Sequence, residues 1–210
     1  MQGTRLTRGY RGGGETRLRC VADGPGESRR KVAVIGAGAA GLVSARELRR
    51  AHLDVTVFER GSSVGGTWVY TEEESERDEY HIHSSLYESL RVNLPKEIMG
   101  YSDFGFPLWK RDALESRYCS HEEVRVYLEN FAKHFGIDEL IEKDTLVTSA
   151  EPVRAEETRA EGGACKWKLI VKPKNVAAAG EDEGEERIFD AVVVCNGHFE
   201  VPKTPRNIGE

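Results

Sequence analysis

The sequence predicts an α/β fold: a parallel sheet with helices, plus an antiparallel β-meander. Three observations carry this reading. Two short apolar, β-branched runs, Val32 to Ile35 and Val55 to Phe58, bracket a glycine-rich turn and a helical pattern. Further on, Trp167, Leu169 and Val171 alternate with Lys168 and Lys172, the two-residue period of a strand with one buried and one wet face. Last, the Val-rich run Ala191 to Cys195 has the composition of a buried strand.

The first strand is Val32 to Ile35, and the turn after it is Gly36-Ala37-Gly38-Ala39-Ala40-Gly41. Gly36 permits the tight turn, Gly38 lets a pyrophosphate approach the backbone, and Gly41 lets the following helix pack close to the strand. That helix opens in the turn, so its unpaired N–H groups and positive dipole end face the phosphates. The second strand, Val55 to Phe58, ends at Glu59. In such units a ribose-binding acid falls about 20 residues after the glycines. A Rossmann-like unit that grips the adenosine diphosphate half of a dinucleotide follows. The carboxylate of Glu59 repels a 2′-phosphate and so argues against NADP at this site, but it does not separate NAD from FAD. Gly65 and Gly66 come next and let backbone lie against a flat ring or a phosphate.

Glu72 to Tyr80 is acidic and reads as an exposed loop. His81 and His83 beyond it lack a third ligand at metal-binding spacing, so no metal site is expected. Ser84 to Leu90 reads as a short helix. Arg91 to Glu97 reads as a strand or loop stopped by Pro95, which pushes Leu94 out of the helical region. Tyr101 to Trp109 is an aromatic loop suited to packing over something flat. Ser120 caps a helix whose first turn holds Glu122 and Glu123 and whose apolar stripe is Val124, Leu128, Phe131 and Phe135. Gly136 ends it. Strands are expected at Thr145 to Val153, at Trp167 to Val171, and at Ala191 to Cys195 with Ile188-Phe189 before it. Asn175 to Glu186 reads as a loose hairpin loop.

The chain has 210 residues and a formal net charge of −6. It is long enough for one domain with a real core, or one and a fraction, and carries no basic footprint for nucleic acid. No apolar run reaches membrane-spanning length. Cys20, Cys119, Cys165 and Cys195 form no CxxC pair, which points to free thiols in a reducing compartment such as the cytoplasm. Residues 1–30 are rich in Arg and Gly and poor in large apolar groups, so a disordered extension is expected there. Organelle targeting is the lesser alternative for that extension. Residues 31–205 form the expected domain and 206–210 a tail.

Four stretches together resemble the class B flavin-containing monooxygenases, nearest the plant S-oxygenating branch. They are GAGAAG with Glu59-Arg60, GGTW at Gly65 to Trp68, SLYESLRVNLPKEIMGYSDFGFP at Ser85 to Pro107, and FDAVVVCNGHFEVPKTP at Phe189 to Pro205. Gly105 departs from the proline common at that position. The resemblance implies an FAD-binding domain. It also implies that NADPH reduces the flavin, that O₂ adds at flavin C4a, and that the resulting hydroperoxide oxygenates a soft sulfur or nitrogen nucleophile, a thioether or amine. By motif match, Gly36, Ala37, Gly38, Ala39, Ala40 and Gly41 hold the pyrophosphate and Glu59 the ribose. Arg60, Gly66, Thr67 and Trp68 line the rest of the FAD. Asn93 matches the asparagine that approaches the flavin ring and the bound nicotinamide nucleotide, and is the one catalytic candidate. The backbone of Val147 is a candidate adenine contact, and Gly197 lets the chain pass close to the cofactor. His198 is assigned no catalytic role.

The family's GxSxSG motif for NADPH and its FxGxxxH-type signature do not occur in this sequence. The expectation is therefore a domain incomplete relative to the family, an N-terminal portion with weak autonomous stability, weak FAD retention and negligible NADPH-dependent turnover. A catalytically inactive FAD-binding fragment or interaction module is the alternative.

Overall fold

In the computed structural model the described residues are 29–70, 86–106, 117–153, 165–173 and 184–198. Residues 1–28, the acidic stretch with His81 and His83, Trp109, most of the 175–186 linker and the tail lie outside them. The chain runs β1 (Lys31–Ile35), α1 (Ala39–Arg50), β2 (Asp54–Phe58), α2 (Lys96–Met99), α3 (His121–His134), β3 (Ile141–Glu142), β4 (Thr145–Pro152), β5 (Trp167–Pro173), β6 (Glu185–Phe189) and β7 (Ala191–Val194). One sheet is parallel, in the order β3-β2-β1-β7, and the other is the antiparallel meander β4-β5-β6.

Side chains of successive strand residues point to opposite faces, so burial of neighbours means cover on both sides. Ala33 and Val34 in β1 are both fully buried, as are Val57 and Phe58 in β2. Val34 and Val57 pack with Leu42 and Ala45 of α1 and with α3. Ala33 and Phe58 pack with Leu169, Val171 and Phe189 of the meander, where the Phe58 and Phe189 rings meet edge to face at 5.8 Å. The parallel sheet is thus a middle layer, with helices on one face and the meander on the other. The meander turns into the sheet at Asp190, whose N–H donates to the Lys31 carbonyl at 2.8 Å while its carboxylate accepts the Lys31 N–H at 2.7 Å.

The capping box at the start of α3 is complete. Ser120 Oγ accepts the Glu123 N–H at 3.3 Å and the Glu123 carboxylate accepts the Ser120 N–H at 3.0 Å. Val124, Tyr127, Leu128, Phe131 and Ala132 form the buried stripe. Gly136, at φ +62°, follows the helix. Arg49, in the last turn of α1, donates to the carbonyls of Phe135 and Gly136 and joins the C-terminal ends of the two helices.

Four expectations need correction. Of the helix expected at 84–90 the described part, residues 86–90, is a turn closed by Leu90 N–H to the Tyr87 carbonyl at 2.9 Å, and residues 84 and 85 lie outside the described ones. The loop from Arg91 ends at Pro95 as expected, but Lys96 and Glu97 leave it for α2, which the extended Pro95 (φ −70°, ψ 149°) caps. Ile188 and Phe189 belong to a strand of their own, β6, separated from β7 by the Asp190 contact. Finally, β7 is only partly buried, with Val194 65% exposed, because among the described residues no strand covers its outer edge.

Candidate cofactor site

The glycine turn leaves the C-terminal end of β1 between the ends of β2 and β7. Gly36 donates its N–H to the Phe58 carbonyl at 2.8 Å, and its φ of +102° suits only glycine. A Cβ at Gly36 would stand 2.5 Å from the Cys195 carbonyl oxygen, and one at Gly41 would stand 1.8 Å from the Gly36 carbonyl oxygen. These two glycines are therefore needed by the fold itself. Gly38 differs: among the described residues a Cβ there would meet only Gly66, at an ordinary 3.5 Å. Its missing side chain leaves space that no described residue fills.

Gly38 is also the N-cap of α1. It supplies no side-chain acceptor, and the first turn of α1 holds no acid. Ala39 and Ala40 are exposed there. A helix start this open, with small residues around it, presents its N–H groups and dipole end to an anion. The loop after β2 closes one side of the turn, since Gly65 donates to the Ala37 carbonyl at 3.2 Å and Gly66 to Trp68 form one turn of 3-10 helix. Trp68 and Arg60 are half-buried and Thr67 is exposed.

Glu59 is 7% exposed. One carboxylate oxygen accepts the Ala37 N–H at 2.7 Å and the other accepts the Gly61 N–H at 2.8 Å. Each oxygen has two lone pairs, so each keeps one for a ribose hydroxyl. The acid thus has a second task that reading the chain as a string did not reveal: it holds the glycine turn and the following loop in register.

Asn93 is exposed, on a turn held against the start of α3. Arg91 bridges to Ser120, the Val92 N–H donates to the Cys119 carbonyl at 3.0 Å, and the Lys96 N–H donates to the Arg117 carbonyl at 2.9 Å. Beneath it the buried Lys96 ammonium reaches Glu123 Oε1 at 2.6 Å. Burial alone would raise the Glu123 carboxyl. The Lys96 and Ser120 hydrogen bonds and the Lys96 charge outweigh it and hold the group below the ordinary range. A carboxyl with a depressed folded value contributes stability above its unfolded value and loses it as pH falls through the folded one. Thermal unfolding followed as a function of pH should therefore show the midpoint falling below about pH 4.5. Glu123→Gln should flatten that fall.

Val147 lies in β4, two residues beyond Thr145, whose N–H donates to the Glu59 carbonyl at 2.9 Å. Gly197 (φ +75°) has open space around it just past β7. The described part of the aromatic loop, Tyr101 to Phe106, packs over the rings of α3, with Phe106 stacked on Tyr127 at 3.9 Å. A Cβ at Gly105 would meet none of the described residues within 4 Å. A second concavity, lined among others by Ser63, Tyr70, Glu88, His121, Glu122 and Arg125, mixes both charges and selects no ligand type. Among the described residues no group of three His, Cys, Asp or Glu side chains is arranged to hold a metal, and no helix is long and apolar enough to cross a membrane.

The flavin-binding monooxygenase-like family model matches residues 29–208. The chain belongs to this family. It is 48% identical over 184 residues to flavin-containing monooxygenase FMO GS-OX-like 6 of Arabidopsis thaliana, covering 84% of this chain and 36% of that relative. It is similarly 48% identical over 180 residues to GS-OX-like 1 of the same plant, covering 83% of this chain and 36% of the relative. Among solved structures, S-allyl-L-cysteine S-oxygenase from Allium sativum matches with a TM-score of 0.67 and 44% identity, over 85% of this chain and 39% of that one. Tmm from a Pelagibacter strain matches with a TM-score of 0.66 and 26% identity, over 84% and 38% of the two chains. The flavin-binding monooxygenase-like chain described here thus spans little more than a third of the length of the relatives it matches.

Proposed function

We propose that this chain is the FAD-binding portion of an NADPH- and O₂-dependent monooxygenase that oxygenates a soft sulfur or nitrogen nucleophile. One observation carries the FAD reading. The uncapped start of α1 sits in a cradle of glycines beside the buried Glu59, and at Gly38 the missing side chain leaves space that no described residue fills. Gly36 to Gly41 would hold the pyrophosphate and Glu59 the adenosine ribose. Arg60 and Gly66 to Trp68 would line the remainder, with Val147 offering backbone to the adenine and Gly197 a close pass of the chain. Asn93 would meet the flavin ring and the nicotinamide nucleotide, since an exposed amide donates and accepts without adding charge.

FAD, when bound, supplies the redox chemistry with NADPH and oxygen. The chain's own share is binding, orientation and exclusion of water. A thioether substrate is supported by the name of the Allium sativum neighbour, an S-oxygenase of S-allyl-L-cysteine. Free thiols at Cys119, Cys165 and Cys195 suit a reducing compartment such as the cytoplasm.

A second reading, FAD binding without turnover, is favoured by the edge of β7, which no strand covers among the described residues, and by its exposed Val194. Purified chain loaded with FAD separates the two when NADPH oxidation is followed with and without a thioether. Thioether-dependent oxidation supports the enzyme reading, whereas bound flavin without oxidation supports the second.

A further inference from the structure

We propose that Tyr101 is a positioning residue for the FAD pyrophosphate: the turn Tyr101 to Phe104 grips α1 and sets its phosphate-binding end. The inference rests on the FAD reading above. The Tyr101 hydroxyl donates to the Ala39 carbonyl at 2.6 Å, in the first turn of α1. Asp103, two residues along, accepts from Arg46 Nη1 at 2.9 Å. Ala39 and Arg46 are two helical turns apart and so lie on one face of α1. The turn therefore holds the helix at two points along a single line.

The turn is itself anchored on α3. The Tyr101 N–H donates to Tyr127 Oη at 2.8 Å, and that hydroxyl donates to the Phe104 carbonyl at 2.5 Å. The Tyr101 ring lies 4.5 Å from that of Phe131. Arg46 is 7% exposed, with its guanidinium carbon 5.1 Å and 4.8 Å from the ring centres of Phe131 and Phe135. Such a cation between rings is held in place as well as paired. Burial raises the Tyr101 hydroxyl above its ordinary value, so it stays a donor throughout the physiological range.

The first turn of α1 has no cap of its own. Its position against the glycine turn is tight, as the space between Gly41 and the Gly36 carbonyl shows. The carbonyl of Ala39 is where α1 is tied from outside at this end, and the N–H groups aimed at the phosphates belong to the same turn. Tyr101 does not have to touch the cofactor to govern its affinity.

The test is Tyr101→Phe in the full 210-residue chain. The variant keeps the ring and removes only the hydroxyl. Hydrogen exchange of the hydrogen-bonded amides at 42–46, measured without flavin, should quicken about fivefold, and FAD titrated into the chain should bind about fivefold more weakly, as loss of one net hydrogen bond implies. The thermal midpoint should stay close to that of the unaltered chain, a split that a role in bulk stability would not produce. Unchanged exchange overturns the proposal, and so does quicker exchange with unchanged FAD affinity. Quicker exchange in a chain that binds no FAD before substitution instead sinks the FAD reading. Should Tyr101→Phe not fold, Asp103→Asn loosens the other end of the grip and is read in the same way: unchanged exchange across α1 and unchanged affinity overturn the proposal.

Discussion

Gly41→Ala is expected to destabilise the fold and to abolish the saturable FAD binding proposed for this chain. The added Cβ would stand 1.8 Å from the Gly36 carbonyl oxygen, and the obstacle is backbone. Overpacking of this kind costs about 3 kcal/mol, and more where no flexible side chain can yield. Alanine exceeds glycine by about 1 kcal/mol in helix propensity, which offsets only part of that cost. Denaturant unfolding should show the loss directly. Gly38→Ala is the informative companion, because its Cβ would meet Gly66 at an ordinary 3.5 Å. That variant should unfold at nearly the same denaturant concentration yet bind FAD at least about tenfold more weakly, since the methyl takes up the space through which a pyrophosphate approaches the backbone.

Glu59→Ala lowers stability by about 2 kcal/mol and removes measurable FAD binding. The carboxylate accepts the backbone N–H groups of Ala37 and Gly61. Ala37 is fully buried, so its donor would be left without a partner, at about 1–3 kcal/mol for such a group. The Gly61 donor is nearer solvent and loses less. Glu59→Gln retains one acceptor oxygen of the two, so it should fall between the unaltered chain and Glu59→Ala in both stability and FAD affinity. An acid that served only the ribose would leave the stability of the flavin-free chain unchanged.

Most of the parallel half of the fold was legible because its signals are local. The β-branched runs, the glycine spacing and the serine-capped stripe of α3 each specify an element by themselves, and β1, α1, β2 and α3 stand where those signals lie. Elements that depend on distant partners were not legible. β3 has two residues, too few for any period, and exists because it pairs with Val57 and Phe58. The identity of β6 depends on Asp190 meeting Lys31 across the chain. At the site, the residue types and spacing announced the glycine turn and Glu59. The second task of Glu59 was hidden, because it depends on where Ala37 and Gly61 bring their N–H groups. Tyr101 lay in a motif stretch and an aromatic loop, but its grip on α1, like the role of Arg46, was hidden because it comes from packing α1 against α3.

The central claim is that the cradle around α1 holds FAD. Titration of FAD into the 210-residue chain, followed by flavin fluorescence, tests it most directly when Gly38→Ala is run beside it. Saturable binding of one FAD per chain, weakened by Gly38→Ala without loss of fold, is the expected result. Binding that is absent, or equal in the two proteins, would contradict it.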